Sequence, residues 1–121
     1  MDELYKEVLL EHYRHPAYKE NMLKPDIHKE DSNPLCGDMI EIFIRTDKDK
    51  IKDIKFQGKG CVISMASADI LSEHLKGKTL DEAQKMTREE MLDLLGIKIT
   101  AARTKCAMLA LMAIKKGIIE K

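Results

Sequence analysis

The stretch D-M-I-E-I-F-I-R-T-D-K-D-K-I-K-D-I-K-F-Q-G-K-G-C-V-I-S-M-A-S-A-D-I-L-S-E-H-L, residues 38–75, switches hydrophobic period once, and that switch decides the fold class. In its first part Ile40, Ile42 and Ile44 fall on one strand face with Asp38, while Glu41 and Arg45 fall on the other, the alternation of a half-buried strand. The turn D-K-D-K at Asp47 to Lys50 leads into a second alternation through Ile54 and Phe56, giving a hairpin that ends at Gly58-Lys59-Gly60. A short third strand is expected around Cys61 to Ile63. Beyond it the period lengthens: Met65, Ala68, Leu71 and Leu75 line one face of a helix that Ser64 would cap and Gly77 would end.

Upstream, Leu4, Tyr5, Val8, Leu9 and His12 recur at helical spacing, so an amphipathic helix opens the chain and stops near His15-Pro16. A polar, proline-containing stretch then runs to Asn33-Pro34 and reads as loop. Downstream, Thr79 with Glu82 and Thr87 with Glu90 form two capping boxes that open two short helices. Ala107, Ala110, Leu111, Ile114 and Ile118 mark a last helix with Cys106 in its first turns. The fold class is α+β: an N-terminal helix, a small three-stranded antiparallel sheet, then several helices packed on one face, as a single domain over residues 1–121.

The formal charge is zero although 35% of residues are charged, which removes any general attraction to nucleic acid or to an anionic membrane. Tryptophan is absent and aromatics make up only 4%, too few for a base-stacking platform. No run approaches the roughly 18 apolar residues that cross a bilayer. The start M-D-E-L-Y-K-E is charged where a secretory signal needs an apolar core, and three cysteines cannot all pair within one chain. The expectation is a cytoplasmic protein with reduced thiols.

Cys36, Cys61 and Cys106 sit in the strings N-P-L-C-G-D, F-Q-G-K-G-C-V-I-S and R-T-K-C-A. Single reduced cysteines are most often small core hydrophobes. These have other company. Cys36 follows a proline and precedes Gly37 and Asp38, and Cys61 follows two glycines, so both thiols fall at loop or strand-end positions. A carboxylate two residues from a thiol adds a second metal-competent group, and the glycine between lets both face one centre. Brought together, three thiolates and Asp38 carry a charge of about −4, which Zn²⁺ or an oxidised [2Fe-2S]²⁺ core would reduce to about −2. Arg103 and Lys105 flank the third cysteine and would offset that charge near the site; a solvated helix face is the plainer reading of both. His12, His15, His28 and His74 are not placed as ligands, His74 reading as a partner for a helix C-terminal dipole. Ser64 and Ser67 read as caps or as donors to sulfur, and the methionines as core filler.

At these strings the chain resembles the U-type iron-sulfur cluster assembly proteins, the IscU/SufU family also found as the N-terminal domain of NifU. The resemblance covers nearly the whole chain: Y-K-E-V-L-L-E-H-Y-R-H-P, N-P-L-C-G-D, G-K-G-C-V-I-S-M-A-S, K-G-K-T-L-D-E-A and R-T-K-C-A. It implies that Cys36, Asp38, Cys61 and Cys106 are metal or cluster ligands, and that Cys106 or Cys36 first receives persulfide sulfur. It further implies a cysteine desulfurase as partner, iron and electron donors, a transient [2Fe-2S] cluster, and apo-proteins as recipients. Asp38, a harder ligand than a fourth thiolate, would keep that cluster transferable.

Three features set the chain between the two branches. Lys105 stands where the IscU branch has a histidine, and an ammonium offers no lone pair. G-I-K-I-T-A-A-R-T-K stands where that branch has the L-P-P-V-K segment read by an Hsp70-type chaperone. The interval from Cys61 to Cys106 is too short for the insertion of the SufU branch. Without a histidine beside Cys106, an outside thiol or a cluster-bridged homodimer would complete the coordination if Asp38 does not. The rival to a cluster scaffold is a zinc-dependent sulfur acceptor like SufU, which takes persulfide sulfur from the desulfurase on a zinc-bound thiolate. A purely structural zinc site is disfavoured by the lack of any C-x-x-C pair.

Overall fold

Ile40, Ile42, Ile44, Ile51, Ile54 and Phe56, none with any exposed surface, form the inner face of a three-stranded antiparallel sheet in a computed structural model that describes residues 2–34 and 37–121. The elements in order are α1 (Asp2–Arg14), β1 (Ile27–Asn33), β2 (Asp38–Asp47), β3 (Lys50–Lys59), α2 (Val62–Leu75), α3 (Leu80–Lys85), α4 (Arg88–Leu95) and α5 (Ala101–Glu120). The strands lie in the order β1-β2-β3. β2 and β3 are joined through Lys48 and Asp49, both with positive φ, the backbone that a tight two-residue hairpin requires. A register shift between Arg45 and Thr46 lets Ile51 and Ile54, three residues apart, both face inward.

The sheet is where the structure departs from the sequence reading. The third strand is not Cys61 to Ile63 but β1, inside the polar stretch expected to be loop. Only Ile27 and Asn33, its two ends, are buried. β1 is an edge strand, held by its ladder to β2 and by α5, so it shows little apolar alternation. Cys61 is instead the N-cap of α2, and Ser64 lies within its first turn rather than at the cap, its hydroxyl donating back to the Cys61 carbonyl at 3.1 Å.

α2 and α5 cover the inner face of the sheet, and α1 packs on α2. α2 is buried on nearly all sides, so even its polar Ser64, Ser67, Asp69 and Ser72 are removed from solvent. Fully buried Asp69 fastens α1 to α2: its carboxylate accepts from His12 Nδ1 at 2.6 Å and from the Tyr18 amide at 2.9 Å. α5 lies against β1 closely enough that a Cβ on Gly117 would meet Ile27 Cγ2 at 2.9 Å. α3 and α4 open on the expected capping boxes of Thr79 with Glu82 and Thr87 with Glu90.

Candidate metal centre

Strand pleating fixes the first ligand candidate. Asp38 opens β2 on the inner face, and because Ile40, Ile42 and Ile44 continue that face, its carboxylate is carried inside and left 2% exposed. β3 then leads into α2 through Gly58 and Gly60. Gly60 has to be glycine here: a Cβ would lie 2.5 Å from Asp38 Oδ1 and 2.6 Å from Ser64 Oγ. The close approach lets the Cys61 amide donate to Asp38 Oδ1 at 3.0 Å and brings Cys61 Sγ within 4.0 Å of Asp38 Oδ2. α5 presents Cys106 from its N-terminal part, fully buried.

The donor atoms of Asp38, Cys61 and Cys106 all lie within 4.8 Å of one another, the one such group among the described residues. Zn–S bonds of about 2.3 Å and Zn–O bonds of about 2.1 Å put the ligand atoms of a tetrahedral ion roughly 3.5 Å apart, so modest side-chain movement would close this set on an ion. The fourth residue of the sequence-based set, Cys36, falls outside the described residues. Arg103 and Lys105 are exposed in the first turns of α5; Lys105 lines a cleft of about 230 Å³ with Asn33, Pro34 and Met108, and neither belongs to the donor group.

The electrostatics favour anions at this point. α3 and α4, which carry no thiol, have side-chain caps and two carboxylates each in their first turns. α2 and α5, which carry Cys61 and Cys106, have neither a side-chain cap nor an acid there. Their positive dipole ends, with no acid in the first turn to offset them, favour anions. Burial pushes the Cys61 thiol up, but hydrogen bonding with the Ser64 amide, the Ser64 hydroxyl and Cys106 outweighs it and holds the thiol below its ordinary value, against the opposing charge of Asp38. Cys61 is half-buried and Ser64 Oγ lies 3.7 Å from its sulfur. The arrangement offers soft sulfur and one hard oxygen at a single centre, a set that suits zinc or iron.

Three residues matter more than the sequence reading allowed. Gly60 makes room for Asp38, and the G-K-G spacing was its only signal. Asn33 stands directly across the ladder from Asp38 and is 7% exposed; it shares the N-P-L-C-G-D string but gives no sign of its burial. Asp69 looks like any helix surface residue until α1 is packed over it. His74 lies in the last turn of α2, where the sequence places it; burial first, then Lys78, lowers its pKa, against a smaller opposing effect of Glu90.

Residues 4–120 match the model of the NifU-like N terminal domain. The chain is 34% identical to the zinc-dependent sulfurtransferase SufU of Bacillus subtilis, over all of this chain and 93% of that protein. It is 32% identical to an iron-sulfur cluster assembly scaffold protein IscU of Archaeoglobus fulgidus, over 97% of this chain and 76% of that one. A crystal structure of a protein described as a candidate cluster assembly scaffold for the SUF system of Fervidobacterium islandicum AW-1 superposes with a TM-score of 0.82 at 26% identity, covering 93% of this chain and 94% of that one. The match to SufU runs over 138 positions against 121 residues here, so that relative is longer within the matched region. The match to the Archaeoglobus scaffold runs over 117.

Proposed function

Since the chain belongs to the NifU-like N-terminal domain family, we propose that it is a scaffold on which a [2Fe-2S] cluster is built and from which it is passed to apo-proteins. The observation that carries this reading is the placement of the Asp38 carboxylate among the thiols of Cys61 and Cys106. Cys36 would join them as the fourth ligand. A cysteine desulfurase would hand sulfane sulfur to Cys106 or Cys36, leaving a persulfide. Cleaving that S–S bond to sulfide takes two electrons per sulfur, drawn partly from oxidation of ferrous to ferric iron and partly from an external donor. The cluster is cargo. Asp38 binds it less firmly than a thiolate would, which keeps the finished product transferable.

The desulfurase would approach where Cys61 is accessible. Next to it, Val62 and Ile63 line a cleft of about 390 Å³ with Leu9, Leu10 and Ile97, and Lys6 and Lys98 stand at its rim. The thiol chemistry calls for a reducing compartment, so the role is assigned to the cytoplasm.

The identity to a zinc-dependent sulfurtransferase, together with the lowered pKa of Cys61, supports a second reading in which zinc holds the site and one thiolate is released to accept sulfur. The length match to the Archaeoglobus scaffold supports the first. Anaerobic reconstitution of metal-free protein with Fe²⁺, cysteine and a cysteine desulfurase separates them. Equal iron and acid-labile sulfide per chain, lost to an apo-ferredoxin, is the expected result. No iron uptake, with desulfurase turnover restored by zinc, would move the assignment to sulfur transfer.

A further inference from the structure

Asn33 ends β1 directly opposite Asp38, so the two side chains leave the same face of the sheet. β1 runs along α5: Gly117 packs on Ile27 and Lys29, Lys116 Nζ pairs with Asp31 at 2.9 Å, and Asn33 shares a cleft wall with Lys105 and Leu109. Asn33 therefore sits in the corner between the Asp38 end of β2 and the turn of α5 that carries Cys106. It is 7% exposed, and its Nδ2 is buried with no hydrogen-bond partner among the described residues. A buried amide donor without an acceptor is costly, and such atoms are rare in folded proteins. Across the ladder from it is the Asp38 carboxylate, and the α5 turn whose Lys105 and Leu109 share its cleft carries the Cys106 thiol, which turns anionic on binding a metal. Turning the amide over would place another acceptor against those anions, so the donor end belongs there.

We propose that Asn33 is a positioning residue of the metal centre, whose Nδ2 hydrogen-bonds an anionic ligand atom, oxygen or sulfur, when the centre is filled. The empty protein then carries an unmet donor that the filled protein satisfies, so the side chain favours occupancy without itself ligating. The inference rests on Asp38, Cys61 and Cys106 being the ligands, but not on whether the cargo is zinc or a cluster.

The test compares wild type with Asn33→Leu, which keeps the branched heavy-atom skeleton and removes the donor. Zn²⁺ affinity is measured by competition with a chromophoric chelator, and stability of the metal-free protein by urea denaturation. Loss of a group that supports a metal ligand typically weakens binding about 10- to 100-fold. The expected pair of results has opposite signs: zinc affinity down by that factor, with the metal-free midpoint unchanged or raised because an unmet donor has been removed. Unchanged affinity overturns the proposal. So does a lowered metal-free midpoint, because the amide would then already be bonded in the empty protein. Wild-type protein that takes no zinc overturns both this inference and the ligand set, whereas wild-type binding with an unaltered variant overturns this one alone. If Asn33→Leu does not fold, Asn33→Asp keeps the shape, replaces the donor with an acceptor, and is expected to weaken zinc more strongly still.

Discussion

At the scale of single residues, the centre is made by what is missing at position 60. With no Cβ there, Asp38 Oδ1 and Ser64 Oγ close to within 2.5 and 2.6 Å of where that atom would be. Gly60→Ala must push the carboxylate away from Cys61, and an ion held by both would lose its oxygen ligand. We expect zinc affinity to fall by at least about 10-fold, as for other losses of ligand support, with little change in the far-UV circular dichroism of the metal-free protein; an unchanged affinity would show that Asp38 is not a ligand. Ser64 acts on the thiol itself. Its amide and hydroxyl both lower the Cys61 pKa from the ordinary 9.0. Cys61 in metal-free protein should therefore reach half-maximal alkylation rate by iodoacetamide below that pH, and Ser64→Ala should move the midpoint up. A folded-state value below the unfolded one also stabilises the fold above the unfolded pKa, a contribution lost as pH falls through the Cys61 value. A midpoint that Ser64→Ala leaves in place would mean that the Ser64 amide and Cys106, not the Ser64 hydroxyl, hold the thiol pKa down.

Elements deliver these residues, and among the described residues α1 has one polar fastening to α2 beside its apolar packing. Asp69 is fully buried in α2 and held by His12 and the Tyr18 amide. His12→Ala leaves one carboxylate oxygen buried without its partner, a loss of about 1–3 kcal/mol, which a lower urea midpoint with unchanged slope would register. No change in midpoint would mean that water replaces the imidazole. This contact also shows where sequence reading ends. α2 and α5 were legible because apolar residues recur at helical spacing, and α3 and α4 because Thr79 with Glu82 and Thr87 with Glu90 satisfy first-turn donors locally. The β2–β3 hairpin was legible because its inner face is nearly all isoleucine. β1 was not, because H-K-E-D-S carries no apolar alternation: its pairing is specified by the strand beside it and by Gly117 of α5, neither of which is local. Mistaking the start of α2 for a strand has a similar cause, since V-I following two glycines fits either structure and only the packed sheet decides. For the site, Asp38, Cys61 and Cys106 announced themselves through local strings. Asn33 and Gly60 owe their roles to a cross-strand partner and to the Asp38 carboxylate, each distant along the chain.

For the whole molecule, the decisive matter is whether the fold needs its cargo. Small metal modules unfold without their ion because their cores are too slight to stand alone. Here the six inner-face residues of the sheet have no exposure, and α2 is enclosed by α1, α5 and the sheet. The metal candidates lie at one end of this core rather than in its middle, where β2 begins and where α2 and α5 present their N-terminal turns. The chain is therefore expected to keep its far-UV circular dichroism and unfold cooperatively after chelation. Zinc should still stabilise it, since an ion bound only by the folded state at 100 times its dissociation constant adds about 2.7 kcal/mol, on the order of 10 °C in Tm for a domain of this size. That gain should vanish in Cys61→Ser, whose metal-free Tm should match wild type because the half-buried thiol does little packing. A chelated protein with no cooperative transition would make the ion part of the core, and would favour a structural zinc site over any site that must release what it holds. A protein that folds empty can be loaded and unloaded without passing through an unfolded state, which a carrier of transient clusters requires.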